Sequence, residues 1–380
     1  MSYLSVVICD FYKLLVDFEL SLFFIHISNI MRIIHILNHV QEIGNGIVNV
    51  AVDLACLQAK SGHEVAVISG GGEYEILLKK FGVKHYELDQ TRKPINTIKA
   101  AIGYRAIAAA FQPDIVHAHM MTGVLLARIF QNRYALVSTV HNEFQRASLL
   151  MGLADRVIAV SQAVKDSMAR RGIPENKLRV VCNGTLGSPR TRQIQDYQTL
   201  PLQRPAIATV AGMYQRKGIA ELIAGFEHIA SDFPQVHLYL VGNGPDKQLF
   251  EAQAQATSVS ERIHFEGFQP EPQRYLKSCD IFVLASHRDP CPLVLSEARE
   301  AGTAIVGTQV DGIPEALDNG QAGLLVPAKD SHALAGVLAE LLSNTEMLQE
   351  WKNRANQNLE RLSVARVHQE TLAVYRELKH

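Results

Sequence analysis

From Met31 onward, apolar and polar positions follow two rhythms in turn. Short, β-branched runs at 31–37, 64–69, 114–119, 135–141, 155–160 and 177–182 predict buried strands. Between them, apolar residues recur at spacings of three and four, as at 47–61 and 162–172, and predict helices. The rhythm breaks over Gly184 to Arg204, a polar stretch with Pro189 and Pro201 inside it and Pro205 just beyond, which reads as a linker. It restarts with strands near 206–212, 236–242, 262–266, 280–285, 303–307 and 323–327, separated by helices near 218–231, 246–256, 271–279 and 293–302. The tail from Ser331 reads as helical. Strict strand–helix alternation implies parallel sheets covered on both faces. The pattern therefore predicts an α/β fold of two Rossmann-like domains, 31–200 and 201–380, with parallel sheets facing across a central cleft. Ligands of such sheets bind beyond the carboxyl ends of the strands.

Residues 1–30 stand outside this rhythm. They are apolar and aromatic but interrupted by Asp10, Lys13, Asp17 and Glu19, and their longest uncharged run, Leu20 to Met31, is too short to cross a bilayer. No basic leader and no small-residue cleavage site precede Met31, so a secretory signal is not expected. We read 1–30 as an N-terminal extension that the working protein, starting at Met31, does without.

Composition narrows the class. Of the 380 residues, 47 % are apolar and 20 % charged, as in a globular enzyme. The 37 basic residues nearly balance the 38 acidic ones, which excludes the basic excess of a nucleic-acid binder. Five cysteines, at 9, 56, 182, 279 and 291, are far apart with no C-x-x-C pair and read as reduced thiols of a cytosolic protein.

The candidate chemistry centres on Ser286 to Gly302. Asp289 stands in a loop stiffened by Pro290 and Pro292; a helix is expected from about Leu293 to a stop at Gly302, with Glu297 inside it. A helix start with free N–H groups attracts phosphate, and carboxylates on either side suit hydroxyls, a combination that fits a nucleotide sugar. Similar strand-to-helix turns recur at Gly44-Asn45-Gly46, at Gly242-Asn243-Gly244-Pro245, and at Gly212 to Gly218, where Arg216 and Lys217 can meet a phosphate. One lysine–phosphate contact is worth about 4 kcal/mol before desolvation at an effective dielectric near 20. Neither glycine pair has the third glycine of a dinucleotide fingerprint, and no P-loop sequence occurs. Histidines 117, 119 and 141 end two strands at the edge facing the cleft. They can contact a sugar hydroxyl or a phosphate; a zinc site is the other reading, and it lacks a third ligand in a recognisable local pattern. No Asp-x-Asp pair occurs, so the diphosphate charge is expected to be met by Arg216, Lys217 and helix starts rather than by a metal. Thr91 to Pro113 carries Arg92, Lys93, Lys99 and Arg105 and no acid, which reads as a solvated helix face or as a peripheral contact with an anionic membrane.

In order along 31–345, G-N-G, G-H-E-V, D-I-V-H-A-H, T-V-H, V-I-A-V-S, N-G at 183–184, R-K-G, L-V-G-N-G-P, F-E-G-F, the Asp289…Glu297 stretch, V-D-G-I-P-E and G-L-L-V-P resemble the retaining glycosyltransferases of family 4, which have the GT-B fold. The resemblance implies C-terminal helices packing back on the N-terminal domain, a nucleotide-sugar donor, a saccharide or lipid-linked acceptor, and no metal or other cofactor. It places His141 beside the anomeric centre and Asp289 on the transferred sugar. Glu297 falls on the ribose, Lys217 on the diphosphate with Arg216 as helper, and Gly46 near the β-phosphate. Backbone around Cys291 and Leu293 meets sugar and phosphate, and Glu266, Gly267 and Phe268 flank the base. Three positions depart from the family pattern: Asp289 replaces a glutamate, Pro292 a glycine, and Met213 an arginine. A nucleotide-sugar epimerase of the same architecture and a non-catalytic nucleotide-sugar-binding protein are the competing readings.

Overall fold

A computed structural model of the chain describes residues 30–91 and 94–379. All but Ile30 of the expected extension, and Arg92 and Lys93 of the basic segment, lie outside the described residues.

The first half runs β1 (Arg32–Ile36), α1 (Gly46–Lys60), β2 (Glu64–Ser69), α2 (Glu75–Lys80), β3 (Lys84–Glu87), α3 (Pro94–Phe111), β4 (Ile115–Ala118), α4 (Met121–Ile129), β5 (Ala135–Val140), β6 (Arg156–Ala159), α5 (Gln162–Arg170) and β7 (Leu178–Val180). Its strands form one parallel sheet in the order β3-β2-β1-β4-β5-β6-β7. The runs are apolar rather than alternating because helices cover both faces: Ile33 and Ile34 point opposite ways and both are fully buried. The expected strands all form, several of them shorter than the apolar runs. The sequence pattern misses β3, whose Lys-His-Tyr-Glu is an edge strand with exposed ends and no apolar run to signal it.

The second half runs β8 (Ala206–Val210), α6 (Ile219–Ile229), β9 (His237–Val241), α7 (Lys247–Gln255), β10 (Ile263–Gly267), α8 (Gln273–Ser278), β11 (Ile281–Leu284), α9 (Leu293–Ala301), β12 (Ala304–Thr308), α10 (Ile313–Ala316) and β13 (Leu324–Val326). The parallel order is β10-β9-β8-β11-β12-β13. Three helices follow: α11 (Ser331–Ser343), α12 (Thr345–Ala355) and α13 (Val364–Arg376). The last returns to the first half, where its fully buried Tyr375 meets Gln58 of α1 and His117 of β4. Just beyond it, Glu377 pairs with Arg156 and Arg179.

Both sheets reverse strand order at one place, between β1 and β4 in the first and between β8 and β11 in the second. Chains leaving the carboxyl ends of neighbouring strands there diverge to opposite faces and open a crevice. Asn45 and Gly46 follow β1, His119 follows β4, Lys217 follows β8 and Asp289 follows β11. Topology thus delivers the candidate residues of both halves to matching crevices. Among the described residues, no helix is long and apolar enough to cross a membrane.

Candidate functional site

The helix expected after Pro292 forms as read. Pro292 occupies its N-cap with φ of −74°, α9 starts at Leu293, and Gly302 ends it in the left-handed conformation at φ +69°. Losing the Pro292 N–H leaves those of Leu293 and Val294 without an intrahelical acceptor, while the Leu295 N–H donates to the Pro292 carbonyl at 3.2 Å. Glu297 lies in the second turn, half-buried, and burial pushes its carboxyl up to about 7. Among the described residues, no hydrogen bond reaches that carboxylate. The Arg190 guanidinium, locked bidentately to Asp53 at 2.8 Å, is the charge that favours the ionised form of Glu297. A half-buried, unbonded acid is what a ligand hydroxyl would satisfy.

Asp289 and Lys217 are brought together from loops 72 residues apart. Lys217 Nζ lies 2.6 Å from Asp289 Oδ2, and both side chains are largely buried. Asp289 is further set by Ser286 Oγ at 3.4 Å and by its own N–H, which donates to Asp311 Oδ2 at 2.9 Å. Arg216 is exposed, its guanidinium over Phe144 at 5.7 Å and Tyr214 at 5.8 Å. Met213 is fully buried in the second core, so it presents no side chain to the cleft.

The first half supplies the opposite wall. Asn45 caps α1 through Oδ1, which accepts from Ile47 N–H at 3.0 Å, so the helix starts at Gly46. A Cβ on Gly46 would stand 3.4 Å from Leu293 Cδ1, and one on Gly44 3.7 Å from Phe268 Cε2. Both are ordinary van der Waals distances: the start of α1 lies against the second half, and at Gly44 it is the left-handed φ of +70° that favours glycine. Gly267 ends β10 at φ +67°, and Phe268 beyond it is exposed. Cys291 lines a cavity of about 330 Å³ shared with Cys182, Leu293 and Arg366, and its buried thiol is pushed up to about 12, so it is an unreactive wall.

His141 follows β5 and is held at about 3 by burial, hence neutral. Its Nε2 lies 3.1 Å from His119 Nδ1, and His119 Nε2 lies 3.0 Å from His35 Nδ1. The third histidine absent from the local sequence pattern is His35, which the β1–β4 register sets beside His117. The donor atoms of His35, His117 and His119 lie within 4.8 Å of one another, compact enough to hold a metal ion. Each ring nitrogen of the three already has a side-chain partner, however, and the 3.0 Å nitrogen–nitrogen contact requires a proton between the rings.

Two halves with matched crevices and this set of turns also match known proteins. Residues 44–185 fit the model of Glycosyltransferase Family 4, and residues 191–358 that of Glycosyl transferases group 1. The chain belongs to the GT-B glycosyltransferases of the family 4 type. It is 25 % identical over 186 residues to the lipopolysaccharide core biosynthesis glycosyltransferase LpsE of Rhizobium meliloti, covering 49 % of this chain and 53 % of that one. It is 29 % identical over 253 residues to the α-maltose-1-phosphate synthase of Mycolicibacterium smegmatis, covering 59 % and 64 %. The chain thus spans between half and two thirds of the length of these relatives. The structure of Anabaena HepE in complex with UDP-glucose superposes with a TM-score of 0.77 at 20 % identity, over 90 % of this chain and 98 % of that one. That likeness is one of fold.

This family 4-type chain also carries cleft residues that sequence reasoning missed. Arg288 Nη2 reaches Glu143 Oε1 across the cleft at 2.9 Å, while its Nε holds Asp311 Oδ2 at 2.8 Å and its guanidinium covers Phe144 at 4.7 Å. Glu143 is buried, which raises its carboxyl, and Arg190 of the linker is nearly inaccessible against Asp53. The one signal for Arg288 is its place beside Asp289.

Proposed function

We propose that the protein is a retaining, metal-independent glycosyltransferase that moves a hexosyl group from a nucleotide sugar to an acceptor hydroxyl. The acceptor is a saccharide or lipid-linked glycan of bacterial surface polysaccharide or glycolipid synthesis, reached from the cytoplasm, with peripheral membrane contact where the acceptor is lipid-linked. The observation that carries this reading is the unbonded Glu297 carboxylate, one helical turn from the start of α9, together with the Lys217–Asp289 pair formed by the segments that follow β8 and β11. Donors with hydroxyls at both ends and a diphosphate between them fit that sequence of groups.

In this reading the α9 start and Lys217 hold the diphosphate, and Lys217 offsets the charge that develops as the anomeric C–O bond breaks. Asp289 turns to sugar hydroxyls once phosphate competes for Lys217. Glu297 accepts from the ribose, Gly267 and Phe268 flank the base, and Gly46 leaves room for the β-phosphate against Leu293. With no nucleophile assigned, the leaving phosphate oxygen takes the acceptor's proton on the same face, which retains configuration. Positioning and charge stabilisation then supply the rate.

A thermal-shift panel of nucleotide sugars tests the reading. At a hundred times its dissociation constant the true donor adds about 2.7 kcal/mol to wild-type stability. Glu297→Ala and Lys217→Ala should abolish that shift. If no nucleotide sugar raises the melting point, the reading is wrong; a new sugar nucleotide formed without transfer would identify an epimerase instead.

A further inference from the structure

The histidines behind His141 form a chain with a direction. Gln58 Oε1 lies 2.7 Å from His35 Nε2, His35 Nδ1 3.0 Å from His119 Nε2, and His119 Nδ1 3.1 Å from His141 Nε2. Behind Gln58, its Nε2 donates to Tyr375 Oη at 3.4 Å, and that phenol lies 2.6 Å from His117 Nδ1. His117 Nε2 in turn lies 2.6 Å from Thr139 Oγ1. His35, His117, His119 and Gln58 are all buried, and burial holds His35 at about 4 and His117 and His119 well below their ordinary range. A neutral imidazole donates at one nitrogen and accepts at the other, so fixing one ring fixes the next.

Such a network has two self-consistent polarities, and the phenol chooses between them. His117 has one lone pair to offer, to Tyr375 or to Thr139. A phenolic O–H, far more acidic than an aliphatic hydroxyl, is the stronger donor and takes it. Tyr375, having spent its proton on His117, accepts from Gln58 Nε2, which turns Gln58 Oε1 to His35. His35 must then carry its proton on Nε2, His119 likewise, and His141 likewise.

We propose that Tyr375, Gln58, His35 and His119 are positioning residues that set the tautomer of His141, keeping its proton on Nε2 and leaving Nδ1 as a bare acceptor at the end of β5. No described residue bonds His141 Nδ1. A bare nitrogen there accepts from a ligand hydroxyl and repels a phosphate oxygen. That use of His141 rests on the proposed function, whereas its tautomer is a property of the free protein. The relay also ties the cleft to the C-terminal helix, since α13 supplies the residue that sets its polarity.

The test is a long-range proton–nitrogen correlation spectrum of free, full-length protein labelled in its histidine rings. His35→Gln, His119→Gln and His141→Gln variants assign the signals. We expect His141, His119 and His35 each to show a protonated Nε2 and an unprotonated Nδ1 at neutral pH. Gln58→Met should give His141 a mixture of both tautomers, and Gln58→Glu, which can only accept, should restore the wild-type pattern. Tyr375→Phe, which frees the Gln58 amide to turn, should also give the mixture. A protonated His141 Nδ1 in the wild type overturns the proposal even if no variant folds. So does a Gln58→Met spectrum unchanged at His141, or a metal ion found in stoichiometric amount on these rings. None of these outcomes depends on a nucleotide sugar binding, so failure here is separable from failure of the proposed function.

Discussion

Glu297 shows how one side chain reports on the site through its proton. Its carboxyl is held at about 7 by burial, against about 4.3 in an unfolded chain. Between those values the folded state binds more protons than the unfolded one. Stability contributed by this group is thus full below pH 4.3 and is lost as pH rises through 7. A tenfold difference in proton affinity between the two states is worth about 1.4 kcal/mol, so removing the group recovers up to a few kcal/mol at high pH. Glu297→Gln should therefore melt above the wild type at pH 8, with the gap closing towards pH 4; parallel curves would show that the acid ionises normally. A ligand hydroxyl prefers the ionised form, so donor affinity should rise through pH 7 in the wild type and stay level in Glu297→Gln. The residue's identity as a candidate is legible from its distance to Asp289. Its unbonded state is not, because that depends on Arg190 being committed to Asp53 from the linker.

At the scale of elements, α9 is legible almost to the residue, since proline and glycine are the strongest punctuation a helix has and both ends carry one. Edge strand β3 is not legible, because a strand paired on one side needs no apolar run. What anchors α9 is also hidden. Arg299, on its buried face, is wholly inaccessible and reaches Asp318 at 2.9 and 3.2 Å and the carbonyls of Ala316, Ala355 and Gln357. In the sequence it is one charge among 37 basic residues. Removing one side of a buried ion pair costs about 3–5 kcal/mol. Arg299→Ala should lower the denaturant midpoint accordingly, with the slope of the transition unchanged. A loss under about 1 kcal/mol would mean that Arg361, also paired with Asp318, carries the acid alone. Because α9 presents both Leu293 and Glu297 to the cleft, the same change should weaken donor binding.

At the scale of the molecule, the two halves are legible because each repeats the strand–helix rhythm, and the cleft follows from strand ends. How the halves grip each other is not, since the partners lie more than a hundred residues apart. Arg288 and Glu143 are the clearest case, separated by 145 positions and joined at 2.9 Å. Glu143 is buried while its partner is half exposed, so the acid depends on Arg288 for charge, and its Oε2 has no hydrogen-bond partner among the described residues. An acid left in that position without its arginine is best relieved by water entering the cleft. Opening the halves admits that water without unfolding either core. Arg288→Ala should therefore enlarge the radius of gyration of the free protein in X-ray scattering. Because opening the halves hydrates the acid, the melting point of this variant should fall by less than the equivalent of the roughly 3–5 kcal/mol that breaking a buried pair costs. Glu143→Gln, which removes the unpaired charge, should return the double variant to the compact form. A double variant as open as Arg288→Ala would show that stacking on Phe144, rather than the ion pair, holds the cleft closed.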